Sequence, residues 1–452
     1  MRLRKTITTI VATAILLAGW QLFAVIANQP ELIPSLPRLV RTLGEWLVSG
    51  SFYQSVGATI LRGVLGMSIS FVCAIGMAGL FARFEWVYEL FRPLLAIMRS
   101  IPVISFILLA LIFLNPESIP LMIAFLTMFP LLTENLTRGI LDLRPGLSIM
   151  ARQFHIRRSN VLFQIIYPQL KPFLYSGLAS AAGFGWRAII MGEVLSQCAF
   201  GIGSEMKRAQ NFIAVPELLA WTIVAVFISF FFDKGISKVA DITPKISFAN
   251  EDQTIPTPTL SVLDTKDISY QYGIQHFSHS FQKGIIYGIS APSGKGKTTL
   301  LNLIGGILLP TEGEIHPTRH FGIATIFQQP QLLPHLTAEE NIILPLSSFL
   351  TEEKARRIAQ KHLQEMEMEP FGNRYPKELS YGQQQRIAIA RALAYPSPLL
   401  LMDEPFKGLD EALSHRIIER IREKQMKEER IILFTSHNPD EIRLLADEVI
   451  YL

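Results

Sequence analysis

Before residue 240 the apolar positions gather in long blocks, and after residue 260 they break into short runs separated by glycine, proline and charge. The long blocks are Ile7–Ala27, Val56–Phe81, Leu90–Leu114, Ile119–Leu136, Phe173–Leu195 and Leu218–Phe232, read as six helical spans. A helix needs about 20 mostly apolar residues to cross a bilayer core. The first block follows Arg2, Arg4 and Lys5. It is read as a retained span, because it is long, lacks a clear small-x-small cleavage site and is followed by further spans. The third is interrupted by Arg99 and Pro102, which predicts a bend facing protein or an aqueous cavity. Gly57, Gly63, Gly66, Gly76 and Gly79 recur through the second, which suits close helix packing in lipid. Between the first two spans, Leu36, Leu39, Val40, Leu43 and Leu47 share one face of an interfacial helix within Pro30–Val48.

The short runs have another period. Gly284–Ile289, Ile323–Gln328, Leu399–Met402 and Ile431–Phe434 read as strands, and Ser261–Tyr272 as a strand region. Wholly apolar strands such as Leu399–Met402 lie in parallel sheets covered on both faces, with ligands at their carboxyl ends. Glu352–Glu367 is a polar amphipathic helix, and Thr337 with Glu340 forms a capping box opening another. The fold class is therefore multidomain: an all-α six-span membrane domain at 1–240, a linker at 241–260 with Pro244, Pro256 and Pro258, and an α/β domain at 261–452.

Composition adds three points. The mean hydropathy of +0.31 agrees with a membrane half, and the net charge of +4 makes no case for nucleic acid. The two cysteines, Cys73 and Cys198, form no framework, and Cys73 is expected in the core. Arg138, Arg144, Arg152, Arg157, Arg158 and Lys171 follow the fourth span, Lys234 and Lys238 end the sixth, and Asn115–Ser118 carries no basic residue. By the positive-inside rule that arginine-rich segment and both ends of the membrane domain are cytoplasmic, in a multi-pass protein of the cytoplasmic membrane. Lys207 and Arg208 on the outer side are a mild exception.

The candidate chemistry sits on the short runs. Ile289 to Leu300 places a loop of small residues between a strand and a helix, with Ser293, Gly294, Lys295, Gly296, Lys297, Thr298 and Thr299 in its phosphate-binding part. Amides at a helix N-terminus cradle phosphate, Lys297 adds a point charge, and Thr298 is placed to give its hydroxyl to Mg²⁺. Ala291 holds the position of the first glycine, which requires its backbone to keep φ below zero. Asp403 and Glu404 tip a strand, where Asp403 can reach Mg²⁺ and Glu404 can polarise a water.

In chain order these residues, with Leu379-Ser380-Tyr381-Gly382-Gln383, Gly408-Leu409-Asp410 and Thr435-Ser436-His437, resemble the ATPase domain of ABC transporters, which implies an α/β P-loop NTPase domain of ABC type at 261–452. The resemblance implies ATP as the nucleotide and Mg²⁺ as the metal, with Ser380, Tyr381, Gly382 and Gln383 as the signature motif. It also implies Gln328 as the Q-loop residue near the metal, Asp410 as the D-loop aspartate, His437 as the switch histidine beside catalytic Glu404, and Tyr272 as the ring that stacks on adenine. Ala291, Tyr381 and the Lys407-Gly408 pair depart from the family pattern at the nucleotide interface.

Met98–Val103, Gly201–Gly203 and Phe230–Asp233 resemble permeases of the sulfonate, taurine, nitrate and thiamine-precursor importers. In that group a cytoplasmic loop carries E-A-A-x-x-x-G and a later I-x-x-P, and its short helix docks on the ATPase. Here Ile149–His155 and Ile165–Pro168 stand at those places, with Ile149 and His155 replacing Glu and Gly. The resemblance implies ATP-driven import of a small solute delivered by a separate substrate-binding protein. One chain carries one P-loop and one signature, so the implied unit pairs it with a second copy or a similar half-transporter. An exporter half-transporter and a weakly hydrolysing regulatory or structural subunit are the alternatives. If Gly146–Arg158 docks, Leu147, Ile149, Met150 and Phe154 enter an ATPase cleft near Gln328, while the arginines meet acidic residues or stay solvated.

Overall fold

A computed structural model describes residues 2–240, 244–253, 260–271, 273–292, 294–317 and 322–452, with backbone only at 2–6, 9 and 10. The helices before residue 241 are α1 (Arg2–Ala27), α2 (Leu36–Trp46), α3 (Gly50–Arg83), α4 (Glu85–Ser100), α5 (Val103–Phe113) and α6 (Ile119–Leu141). They continue with α7 (Pro145–Gln153), α8 (Arg158–Asn160), α9 (Tyr167–Ser196), α10 (Ile202–Asn211) and α11 (Val215–Ala240). Then come β1 (Val262–Tyr270), β2 (Ile274–Gln282), β3 (Ile286–Ser290), α12 (Lys297–Gly305), β4 (Glu312–His316), β5 (Ala324–Ile326), α13 (Ala338–Leu346) and α14 (Glu352–Glu365). The chain ends with α15 (Tyr381–Ala394), β6 (Leu399–Asp403), α16 (Glu411–Glu428), β7 (Ile431–Thr435), α17 (Pro439–Leu445) and β8 (Glu448–Tyr451). These elements form two compact units, one of 1–143 with 169–242 and one of 144–168 with 243–452.

The first unit is helical. Among the described residues, four helices are long and apolar enough to cross a membrane, namely Gly50–Arg83, Pro116–Leu141, Arg158–Ser196 and Val215–Ala240. A fifth crossing arises if α4 and α5, bent by 95°, count as one. The bend falls at Ile101-Pro102, because a proline disfavours helical backbone at the residue before it. The expected first span lies in α1, and Val11–Ala27 within it is a shorter apolar helix among the described residues.

Small residues set the packing of α3. Ser55, Thr59, Gly63, Gly66, Ser70, Ala74 and Ala78 are its buried positions together with Phe81 near its end. A Cβ on Gly63 would lie 2.6 Å from the Trp186 ring, and one on Gly66 would lie 2.6 Å from the Ala124 Cβ. Gly57, Gly76 and Gly79 have open space instead. Cys73, expected in the core, is exposed, because it falls off this small-residue face next to buried Ala74. Glu193 on α9 is fully buried and accepts hydrogen bonds from Arg62 at 2.7 Å, from Thr59 at 3.0 Å and from the Gly203 amide at 2.9 Å. Arg62 also pairs with Glu117 at 2.7 Å. A carboxylate buried among helices persists only with such a complete set of partners.

The second unit is α/β. Strands β5-β6-β7-β3-β8 form a five-stranded sheet, and the pairings β5–β6, β6–β7, β7–β3 and β3–β8 are all parallel. A three-stranded antiparallel sheet, β2-β1-β4, stands beside it. All five residues of β6 and of β7 are buried, which is why their sequences are continuously apolar. The expected capping box is present: Thr337 Oγ1 accepts from the Glu340 amide, and Glu340 returns the bond to the Thr337 amide at 2.8 Å.

Candidate nucleotide site and docking segment

In the parallel sheet β6, β7 and β3 are neighbours, so their carboxyl ends lie along one edge. That edge carries the glycine loop after β3, Asp403-Glu404 at the end of β6, and Thr435-Ser436-His437 at the end of β7. Gly294 and Gly296 have φ of 81° and 91°, and Ala291 keeps φ below zero as its Cβ requires. Gly296 caps α12, leaving the first-turn amides free to face an anion. Lys297 is buried, and its ammonium folds back onto the carbonyl oxygens of Ala291 at 2.6 Å and Pro292 at 3.4 Å. Tyr272 and Ser293 lie outside the described residues.

Two hydroxyls hold Asp403: Thr298 Oγ1 donates at 2.9 Å and Thr435 Oγ1 at 2.8 Å. Burial pushes the Asp403 carboxyl above the ordinary range despite these bonds. The Glu404 amide donates to the same Thr435 oxygen at 3.1 Å, which fixes the two carboxylates relative to each other. Glu404 has φ of 48° and lies 3.0 Å from both His437 Nε2 and Lys407 Nζ. Burial would raise its carboxyl, but hydrogen bonds from Lys407 and Gln328 and the neighbouring positive charge hold it below the ordinary range.

The set Thr298, Asp403 and nearby Gln328 suits Mg²⁺, a hard cation taking one or two protein oxygens together with phosphate oxygens. The groove thus gathers Lys297, Thr298, Gln328, Asp403, Glu404 and His437. Lys295 and Thr299 sit on the loop and the first turn of α12.

The signature residues form a different arrangement. Ser380 caps α15, accepting from the Gln383 amide at 3.3 Å, while Gln383 Oε1 accepts from the Ser380 amide at 2.9 Å. Tyr381 turns to the Q-loop, its hydroxyl donating to the Gln328 carbonyl at 2.8 Å. Its ring lies over Gly408, where a Cβ would come within 2.8 Å of it. A Cβ on Gly382 would lie 2.5 Å from the Gly408 carbonyl oxygen. Asp410 caps α16 through the Leu413 amide at 2.9 Å.

Residues 144–168 belong to this unit. Leu147, Met150, Ala151 and Phe154 are buried in one cluster with Ile326, Leu333, Leu393 and Tyr395, whereas Ile149 is half-buried. Phe154 meets the Tyr395 ring edge-on at 5.2 Å and lies under the Arg391 guanidinium at 5.4 Å. Arg391 is fully buried and donates to the carbonyls of Pro330 and Gln331, both at 2.8 Å, so it links Phe154 to the loop after Gln328. Burial pulls its ionisation down to about 10. Gln153 extends the contact: its carbonyl accepts from the Ile323 amide at 2.8 Å, and its Nε2 donates to the Gly305 carbonyl at 2.7 Å. Arg152, Arg157 and Arg158 remain exposed. Sequence reasoning missed Gln153 and Arg391, whose only signal was polarity inside apolar helical patterns.

Two family models match in tandem. "Binding-protein-dependent transport system inner membrane component" covers residues 66–233, and "ABC transporter" covers 274–407. The thiamine import ATP-binding protein ThiQ of Yersinia pseudotuberculosis is 34% identical over 205 residues, 42% of this chain and 86% of that protein. The Fe(3+) ions import ATP-binding protein FbpC of Rhizobium etli is 35% identical over 189 residues, 40% of this chain; the chain thus spans about half, 54%, of that relative's length. A dimeric post-hydrolysis ATP-binding cassette bound to ADP and Pi shares 32% identity, covering 42% of this chain and 94% of its own, with a TM-score of 0.40. The chain belongs to the ABC transporter family, with an inner-membrane permease component fused ahead of the ATP-binding cassette.

Proposed function

We propose that the chain is one half of an ATP-driven importer in the cytoplasmic membrane, taking a small solute from a separate substrate-binding protein. Residues 1–240 form the permease, spanning lipid, and 261–452 form the cytoplasmic ATPase. The observation that carries this reading is the seating of Phe154 between Tyr395 and Arg391: a permease loop is built into the ATPase core beside the Q-loop.

In this reading Tyr272 stacks on adenine, and the loop Ser293–Thr299 with Lys297 holds the phosphates. Thr298, Asp403 and Gln328 would hold Mg²⁺, which would supply positive charge beside the phosphates. Glu404 accepts a proton from the attacking water, and His437 positions the Glu404 carboxylate. A second copy supplies Ser380, Tyr381, Gly382, Gln383 and Asp410 across the phosphates, so the working unit is a dimer. Gln328 and Arg391 carry the change at the phosphates to Phe154 and Gln153. A weakly hydrolysing subunit is the second reading, favoured by the Tyr381–Gln328 bond and by Lys407 on Glu404.

The test is uptake in proteoliposomes with the cognate binding protein. A Phe154→Ala chain is expected to keep basal ATP hydrolysis and lose stimulated uptake. Normal uptake would remove the docking role.

A further inference from the structure

Residues 244–253, read from composition as a linker, are pinned on two sides. From the docking segment, Gln164 Nε2 donates to the Pro244 carbonyl at 3.0 Å, and Arg157 donates to the Phe248 carbonyl at 3.2 Å. From α13 and the turn after it, the Ser347 carbonyl accepts from the Ala249 amide at 3.0 Å, and the Phe349 carbonyl accepts from the Gln253 amide at 2.8 Å. Asp252 receives the Thr351 amide at 2.9 Å and the Thr351 hydroxyl at 3.0 Å. Ile246 and Phe248 pack against the core that holds Phe154, and Ala249 is buried.

Asn160 joins all three segments. It is 1% exposed, and its Oδ1 accepts from the Ser247 amide at 2.8 Å. Its Nδ2 donates both to the Ser247 carbonyl at 2.8 Å and to Ser347 Oγ at 2.8 Å. A carboxamide is the side chain that can answer a main-chain N–H and C=O together and still donate once more. The linker stretch forms no strand or helix of its own, so its main-chain groups need partners from elsewhere where water is excluded. Asn160 also stands where the chain enters a π-helical turn, Val161–Ile166, a local geometry that often marks functional positions.

The geometry points to Asn160 as a positioning residue that locks 244–253 across the docking segment, making the linker part of the coupling interface. Two chain connections leave the helical unit, 144–168 and the one that follows α11, and Asn160 ties them at one point of the ATPase. A movement delivered through either then reaches the other. This inference rests on the coupling role proposed for residues 146–158.

Hydrogen exchange on the full chain in lipid nanodiscs tests it, with ATP hydrolysis measured alongside. In the parent protein, amides 247, 249 and 253 should be protected together with 153–156, and Mg²⁺-ATP on a Glu404→Gln background should change both sets. In Asn160→Ala, the linker amides should exchange at least tenfold faster and lose their response to nucleotide. Amides 153–156 and the KM and kcat of basal hydrolysis should stay within twofold. Should Asn160→Ala not fold, Asn160→Asp keeps the acceptor for the Ser247 amide but removes the donations to the Ser247 carbonyl and Ser347 Oγ, and should release amides 249 and 253. Amides 249 and 253 that stay protected in either variant, or that exchange freely in the parent, overturn the lock. Free exchange at 153–156 in the parent overturns instead the coupling reading beneath it.

Discussion

The hydroxyl of Tyr381 donates to the main-chain carbonyl of Gln328 at 2.8 Å, tying the first turn of α15 to the Q-loop of the same chain. A glycine at position 381 would leave that turn free. A net hydrogen bond of this kind contributes about 1 kcal/mol, roughly fivefold in an equilibrium between held and released turns. Tyr381→Phe removes the bond and keeps the ring over Gly408. Basal ATP hydrolysis is expected to rise by up to about fivefold, read from phosphate release at saturating Mg²⁺-ATP. An unchanged or lower rate would show that the bond does not restrain the site.

Lys407 belongs to a pair that departs from the pattern of the ABC ATPases, and its ammonium lies 3.0 Å from Glu404. That contact is among those holding the Glu404 carboxyl below its ordinary range, so Lys407→Ala should move its ionisation upward. With Glu404 as the proposed base, hydrolysis needs its carboxylate form, so the acidic limb of the rate profile should shift to higher pH. A profile identical to the parent's would separate Lys407 from the catalytic titration.

Much of this arrangement was legible in the sequence because the signals were local. The strands around Gly288, Leu401 and Leu433 are buried on both faces and read as unbroken apolar runs. Gly294 and Gly296 marked the left-handed turns of the phosphate loop. What stayed hidden depends on long-range pairing. Asn160, Gln153 and Arg391 find partners 60 to 187 residues away, and nothing near them in the chain announces it. Pro244–Gln253 looked structureless because its hydrogen bonds go to other segments rather than to itself. Cys73 was misplaced since a long apolar helix gives no sign of which face meets protein, whereas the small residues of α3 do.

Truncating Phe154 removes a fully buried ring from the cluster that joins the docking segment to the ATPase. Phe→Ala in a packed core costs about 3–5 kcal/mol. The loss falls on the docking segment, so amides 153–156 should exchange at least tenfold faster in Phe154→Ala while β6 and β7 keep their protection. Loss of protection throughout the parallel sheet would mean that the ATPase fold itself depends on Phe154.

In the proposed reading, one P-loop and one signature per chain place two chains at each ATP site. Mass measurement of the Glu404→Gln protein in nanodiscs with Mg²⁺-ATP should give two copies. A stable monomer that hydrolyses ATP at the parental rate would remove the shared site.

The central claim is that Mg²⁺-ATP is turned over at the edge formed by β3, β6 and β7, with Glu404 as base. Phosphate release by the full chain in nanodiscs tests it most directly, run with Mg²⁺, with chelator, and for Lys297→Ala and Glu404→Gln beside a nucleotide-binding assay. Release should require Mg²⁺, and Lys297→Ala should lose nucleotide binding. Glu404→Gln should retain binding while its rate falls by about 10²–10⁴, the usual contribution of a general base. Release at the parental rate from Glu404→Gln, or none from the parent protein with Mg²⁺ and ATP, would contradict it.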